Sequence, residues 1–125
     1  MNKILVVDDD EKVGETIKAL LENHNYRVEY VQDGKKGFDK IKKFKPNLVV
    51  TDLLMPGIHG FDLCKMIKND ENTRHIHVVA VTAVYQRSVA GQEIIEAGFD
   101  AFVEKPVNFA RLLDHIERLL SKLPG

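Results

Sequence analysis

Residues 4–10 of the chain, ILVVDDD, decide the fold, because a short apolar run passes directly into an acidic cluster. Four consecutive apolar residues bounded by polar ones are typical of a strand that is covered on both faces. Val13, Ile17, Leu20 and Leu21 then recur at helical spacing and predict an amphipathic helix. A buried strand followed by a helix begins a βαβ unit, so this segment favours an α/β fold.

The same alternation of an apolar run and an amphipathic run occurs five times along the chain. Further strands are predicted at residues 28–31, 48–50, 78–81 and 101–103, with a turn at Asp33-Gly34 and a polar loop at 68–75. Helices are predicted from three groups of apolar positions and one long stripe: Phe38, Ile41 and Phe44; Leu63, Cys64 and Ile67; Ala90, Ile94 and Ala97; Phe109, Leu112, Leu113, Ile116, Leu119, Leu120 and Leu123. Because parallel strands need crossover connections, we predict a doubly wound α/β fold, with the charged second strand at an edge.

Composition excludes several classes of protein. The 125 residues fit one domain, and 18 basic against 19 acidic side chains give a net charge of −1, without the strongly basic face of a nucleic-acid binder. The apolar runs are too short to span a bilayer, and no signal-peptide pattern precedes the first strand. One cysteine, Cys64, allows no internal disulfide and is expected to be a buried helix residue. We therefore expect a single domain, residues 1–125, in the cytoplasm and without a membrane partner.

Polar side chains follow four of the predicted strands, at the point where each strand ends. Asp8 and Asp9 follow the first strand, Asp52 the third, Thr82 the fourth and Lys105 the fifth. Each of these residues alone has an ordinary explanation as a helix cap, a loop residue or a solvated charge. Asp10, which follows Asp9, is expected to cap the first helix. Because ligands bind at the carboxyl ends of strands in open α/β sheets, their joint occurrence predicts a site there.

The residue types at this edge suit one kind of chemistry. Crowded carboxylates repel one another unless a cation joins them, and Mg²⁺ prefers carboxylate oxygens, with Mn²⁺ as an expected substitute. One carboxylate, Asp52, can act as a nucleophile toward phosphorus. Lys105 and Thr82 can then offset charge on the phosphoryl oxygens and donate a hydrogen bond to them.

Four motifs give the chain its resemblance to a known family. They are residues 4–9 (ILVVDD), 47–57 (NLVVTDLLMPG), 81–83 (VTA) and 96–106 (EAGFDAFVEKP). In this order and spacing they resemble the receiver domains of two-component response regulators, including those similar to the chemotaxis regulator. The resemblance covers essentially the whole chain and implies a flavodoxin-like (βα)5 fold with strand order 2-1-3-4-5.

The resemblance also implies roles for the acidic residues. Asp52 is expected to be the phosphoacceptor. The side chains of Asp9 and Asp52 and the backbone carbonyl of Leu54 are expected to bind Mg²⁺, with Asp8 contacting it through water. Leu54 and Val84 match positions that modulate hydrolysis of the phosphoryl group, and neither can orient an attacking water, so we expect a long-lived acyl phosphate.

The remaining roles implied by the resemblance concern switching. Thr82 and Lys105 are expected to contact the phosphoryl oxygens, and the bond between Lys105 and Pro106 is expected to be cis. Phe102 matches the aromatic position that turns inward when the threonine shifts. Its movement would alter a surface formed by the fourth helix, the fifth strand and the fifth helix, where a target protein binds.

Two functions remain to be separated. The first is a phosphorelay switch, not an enzyme with an external substrate, that takes its phosphoryl group from a sensor histidine kinase or a histidine phosphotransfer protein. The second is an aspartyl-phosphate phosphohydrolase, because Asp8-x-Asp10 follows a strand as in such enzymes, although Lys12 departs from their motif. Met1 at the family's usual start favours a natural N-terminus. The sequence leaves open whether the chain stands alone or is part of a longer regulator or hybrid kinase.

Overall fold

The computed structural model describes residues 2–55, 57–83 and 87–121, and the backbone alone for 87–91. The predictions that used Val84, Leu123 and the side chain of Ala90 therefore lie outside the described part. Within these residues, five strands and five helices alternate in this order: β1 Lys3–Val7, α1 Glu11–Glu22, β2 Arg27–Val31, α2 Gly34–Phe44, β3 Leu48–Asp52, α3 Gly60–Asn69, β4 His77–Thr82, α4 Arg87–Glu96, β5 Ala101–Glu104 and α5 Phe109–Leu120.

The strands form one parallel sheet in the order β2-β1-β3-β4-β5. This confirms the predicted doubly wound fold and the position of strand 2 at an edge. Alternate residues of β1 point to opposite faces, so Leu5 and Val7 belong to one core cluster while Ile4 and Val6 belong to the other. Helices α2, α3 and α4 pack on the first cluster, and α1 and α5 pack on the second.

The helix starts confirm one prediction and correct another. Asp10 caps α1 as expected, because its side chain accepts from the backbone N–H groups of Lys12 at 3.0 Å and Val13 at 3.3 Å. The turn predicted at Asp33-Gly34 is wrong: Asp33 caps α2, which begins at Gly34. An aspartate oxygen that accepts a nearby backbone N–H serves a turn and a helix start equally, so the two look alike in sequence.

Two other features of the chain bear on the predictions. Helix α3 continues through Asn69, so the first two residues of the predicted loop 68–75 are helical. Cys64 is buried on α3, as predicted, and burial raises the pKa of its thiol to about 12. Among the described residues, no helix combines the length and the apolarity that crossing a bilayer requires.

Candidate functional site

The strand order reverses between β1 and β3, and three carboxylates meet beside this point. Val7 is paired with Thr51, which places Asp8 and Asp52 at the ends of neighbouring strands. One oxygen each from Asp8, Asp9 and Asp52 lie within 4.8 Å of one another. Asp8 and Asp52 are buried and Asp9 is exposed, so the cluster opens to solvent on the Asp9 side.

The Lys105 ammonium joins two of these carboxylates. Its Nζ lies 2.8 Å from Oδ2 of Asp52 and 3.1 Å from Oδ2 of Asp8. The backbone N–H of Lys105 donates to the carbonyl of Thr82 at 2.8 Å, which ties the end of β5 to the end of β4. The Lys105–Pro106 bond is cis, as the resemblance implied. The structure therefore brings together the residues that were predicted from four separate strand ends.

The cluster contains more carboxylates than ammonium groups, and burial makes the excess negative charge energetically unfavourable. Burial raises the pKa of Asp8 despite the opposing contacts with the Asp10 N–H and the Lys105 ammonium. Burial also disfavours the charged form of Lys105, but its contacts with Asp52 and Asp8 outweigh burial and raise its pKa. An acid and a base in contact would ordinarily shift in opposite directions, and desolvation of Asp8 explains why they do not. Two buried carboxylates thus share one ammonium. The negative charge that remains unbalanced would favour binding of another cation.

The backbone around Asp52 is fixed from both sides. Oδ1 of Asp52 accepts a hydrogen bond from the N–H of Leu54 at 3.3 Å, and the Asp52 carbonyl accepts one from the Thr51 hydroxyl at 3.0 Å. Helix α3 begins against the same backbone, since a Cβ on Gly60 would lie 2.1 Å from the Asp52 carbonyl oxygen. Only glycine permits this approach. Gly60 is therefore a site residue that the motifs did not single out.

The acidic loop after β1, residues 8–10, is held by the edge strand β2. The N–H of Asp8 donates to the carbonyl of Val31 at 3.2 Å, and the Tyr30 hydroxyl donates to the carbonyl of Asp8 at 2.7 Å. Burial and the nearby acids, led by Asp8, raise the pKa of Tyr30, so its hydroxyl remains a donor. Sequence reasoning missed Tyr30, because the motifs and the strand order do not show which side chain of β2 reaches the backbone of Asp8.

The residues predicted to switch lie on β4 and β5. Thr82 is buried at the carboxyl end of β4 and is paired with Glu104. Phe102 is paired with Ala80 and half-buried against the core, and it lines an open cleft of about 460 Å³ with Arg111 and His115. On the adjacent α4, Ile95 is 68% exposed. Thr82 and Phe102 are thus at different levels of the sheet, one at the site and one beneath it.

The donor atoms fit a hard divalent cation. Asp8, Asp9 and Asp52 offer carboxylate oxygens only, without the thiolate or imidazole that zinc favours. Two of the three carboxylates are buried, and the negative charge that Lys105 leaves unbalanced would favour cation binding. The chemistry of this set suits Mg²⁺ or Mn²⁺ beside a nucleophilic carboxylate.

Comparison with known proteins identifies the same family as the sequence motifs, over most of the chain. The family model described as response regulator receiver domain matches residues 4–117. The response regulator ArlR of Staphylococcus saprophyticus is 33% identical over 124 residues, which are 99% of this chain and 54% of ArlR. The chain therefore spans about half the length of the curated relatives it matches.

Solved structures extend the similarity to the fold. The non-phosphorylated receiver domain of HemR from Leptospira biflexa is 32% identical, with 100% of this chain and 98% of that one covered and a TM-score of 0.87. The chemotaxis response regulator CheY4 of Vibrio cholerae is 25% identical, with 95% and 98% covered and a TM-score of 0.88. The similar proteins thus include a chemotaxis response regulator and the receiver domain of HemR.

Proposed function

The chain belongs to the family of response regulator receiver domains, as its motifs predicted, and on that premise we propose that Asp52 accepts a phosphoryl group from a phosphohistidine. Response regulators are phosphorylated by sensor histidine kinases in two-component signalling. The donor for this chain is then a sensor histidine kinase or a histidine phosphotransfer protein.

One observation carries the proposal: a buried carboxylate at the switch point lies 2.8 Å from an ammonium and beside two further carboxylates. An Asp52 oxygen forms the new bond to phosphorus while the bond between phosphorus and the imidazole nitrogen breaks. The electron pair stays on that nitrogen, which takes up a proton. Lys105 then stabilises the phosphoryl oxygens, and the Thr82 hydroxyl donates to them.

We assign a divalent cation to the same carboxylates. Asp9 and Asp52 would hold Mg²⁺ through their side chains and Leu54 through its backbone carbonyl, with Asp8 contacting it through water. Mn²⁺ would fit the same oxygens. When bound, the cation offsets negative charge on the carboxylates and on the phosphoryl oxygens.

The output is a change on one surface. We propose that Thr82 shifts toward the phosphoryl group and that the Phe102 ring then turns inward, which reshapes the surface formed by α4, β5 and α5. The exposed side chain of Ile95 and the cleft beside Phe102 are features of this surface. A target protein would distinguish the two forms by contacting it.

Mass measurement tests the assignment of Asp52. The chain is treated with acetyl phosphate and Mg²⁺, and the intact mass is expected to rise by one phosphoryl group. Asp52→Ala should abolish the gain, whereas Asp39→Ala, at an exposed aspartate of α2, should keep it. A chelator should prevent the gain in the unsubstituted protein and in Asp39→Ala. Modification that survives in Asp52→Ala would refute the proposal.

Turnover separates the switch from a phosphohydrolase. In the hydrolase interpretation both aspartates of Asp8-x-Asp10 act on substrate, but the Asp10 side chain caps α1. We therefore expect at most one phosphoryl group per chain and no enzymatic activity beyond the chain's own phosphorylation and dephosphorylation. Release of many phosphates per chain from a stable phosphomonoester would favour the hydrolase.

Leu54 bears on how long the phosphoryl group persists. Its apolar side chain is 49% exposed and follows Asp52 by two residues, where it can neither donate to nor accept from an attacking water. We expect an acyl phosphate that lasts well beyond seconds in Mg²⁺. Leu54→Gln should shorten its lifetime, and Leu54→Met should not. A lifetime of seconds in the unsubstituted protein would contradict the expectation.

A further inference from the structure

Tyr30 contacts the acidic loop at one backbone atom. Its hydroxyl donates to the carbonyl oxygen of Asp8 at 2.7 Å, and this oxygen belongs to the peptide that joins Asp8 to Asp9. The N–H of Asp8 is bonded to the Val31 carbonyl at 3.2 Å. Both polar backbone groups of Asp8 are thus held by the edge strand, one by its backbone and one by a side chain.

Gly14 provides the room for the Tyr30 ring. A Cβ on Gly14 would lie 2.1 Å from Cε1 and 2.6 Å from Cζ of Tyr30, which is far inside contact distance. The ring therefore lies directly on the backbone of α1. Glycine weakens a helix interior relative to alanine, so this position accepts a local cost that the ring contact explains.

From these contacts we propose that Tyr30 is a positioning residue for the cation site, and that Gly14 is required because it lets the ring reach the Asp8–Asp9 peptide. The proposal rests on the assignment of the cation to Asp9 and Asp52. Tyr30 touches no reacting group, and it acts through the backbone that carries Asp9.

The physical reason lies in the exposure of Asp9. Its side chain projects from an exposed position, so the orientation of its carboxylate depends on the peptide that precedes it. Held by the Tyr30 hydroxyl, that peptide is already ordered before the cation binds. Without the hydroxyl the Asp8 carbonyl would bond to water, and the loop would have to be ordered during binding. Groups that orient metal ligands commonly change metal affinity without contacting the metal.

Removal of the hydroxyl alone tests this role. Tyr30→Phe keeps the ring, and we expect the dissociation constant for Mg²⁺, measured by calorimetric titration, to rise about threefold to tenfold. The Mg²⁺ concentration for half-maximal phosphorylation by acetyl phosphate should rise by the same factor, while the rate at saturating Mg²⁺ stays close to that of the unsubstituted protein. Tyr26→Phe is the matched control, since Tyr26 is another half-buried tyrosine packed on the same core cluster. It should leave both values unchanged.

Gly14→Ala gives an independent route to the same loss. Its methyl group must displace the Tyr30 ring, so Mg²⁺ binding should weaken although the hydroxyl is present. Gly14→Ala added to Tyr30→Phe should weaken binding little further, because both remove one contact. Thermal unfolding of each variant shows that it is folded at the temperature of the titration.

Two results would overturn the inference in distinguishable ways. If the unsubstituted protein binds Mg²⁺ and is phosphorylated on Asp52, but Tyr30→Phe binds Mg²⁺ equally well, only the role of Tyr30 falls. If the unsubstituted protein binds no Mg²⁺, the cation assignment falls and the role of Tyr30 falls with it.

Discussion

Two lysines form ion pairs with aspartates at opposite ends of the same sheet. At the amino ends of the strands, Lys68 Nζ is 3.5 Å from Asp100 Oδ2. The same Asp100 oxygen accepts from the N–H of Val78 at 2.8 Å, and the Lys68 ammonium donates to the carbonyl of Ile76 at 2.7 Å. At the carboxyl ends, Lys105 Nζ contacts two carboxylates at 2.8 and 3.1 Å.

The difference between the two arrangements separates a structural contact from the site to which we assign the function. Within the described part of the chain, Lys68 has one carboxylate partner, Asp100, and the same Asp100 oxygen also lies 3.7 Å from Nδ1 of His77. Lys68 and Asp100 are partly exposed and bonded to the backbone of β4 and the segment before it. Around Lys105, one ammonium serves two more deeply buried carboxylates, with Asp9 close by. One lysine with one carboxylate completes its own charge balance, whereas the cluster around Lys105 would gain stability if a cation joined it.

The largest expected effect concerns the rate of phosphorylation. Lys105→Met should slow phosphorylation of Asp52 by acetyl phosphate by about tenfold to a hundredfold, because in the proposed function the ammonium stabilises charge on the phosphoryl oxygens. Lys68→Met should leave this rate unchanged, since its ammonium serves the other end of the sheet. Rates are compared by intact-mass measurement at saturating Mg²⁺. If phosphorylation were slowed equally in both variants, Lys105 would have no role in the reaction that Lys68 lacks.

The next effect is a difference in sign between two isosteric substitutions. Without divalent cations, Asp8→Asn should raise the free energy of unfolding by about 1 kcal/mol, because it removes one of two crowded buried charges at a functional site. Asp100→Asn should lower it by about 0.5 kcal/mol, since it weakens a partly exposed ion pair. Urea unfolding in a chelator measures both. Loss of stability in Asp8→Asn would show that the cluster is as well matched as the Lys68 pair.

The smallest effect is the dependence of that gain on pH. The pKa of Asp8 is raised in the folded protein, so the folded state binds a proton there more readily than the unfolded chain does. Stability from this group is therefore greatest at low pH and declines as pH rises from the ordinary value of 3.8 through the raised pKa. The advantage of Asp8→Asn over the unsubstituted protein should grow across that window and level off above it. A constant difference across the pH series would contradict this.

Much of the fold could be predicted because its determinants are local. The apolar run of β1, the helical spacing in α1 and the cap at Asp10 are each set by neighbours in sequence. The interpretation failed at Asp33, where one local hydrogen-bonding pattern serves two structures. The family motifs predict roles for Asp52, Thr82 and Lys105, and the structure brings Asp52 and Lys105 into contact.

Other parts of the site could not be predicted, because they depend on contacts between distant segments. Gly60 is required by the Asp52 carbonyl, and Gly14 by a ring from the next strand. Tyr30 reaches Asp8 across 22 positions of sequence only because β2 lies beside β1. Periodicity and capping carry no information about such neighbours.

By itself the sequence determined the order of strands and helices along the chain, the family to which the chain belongs and the residue types that end each strand. It could do so because hydrophobic period and motif spacing are properties of short segments. Only the tertiary structure decided that one ammonium is shared between Asp8 and Asp52 and that Tyr30 holds the loop carrying Asp9. Shared charge and burial depend on distances of a few ångströms between strands, and the folded sheet sets those distances.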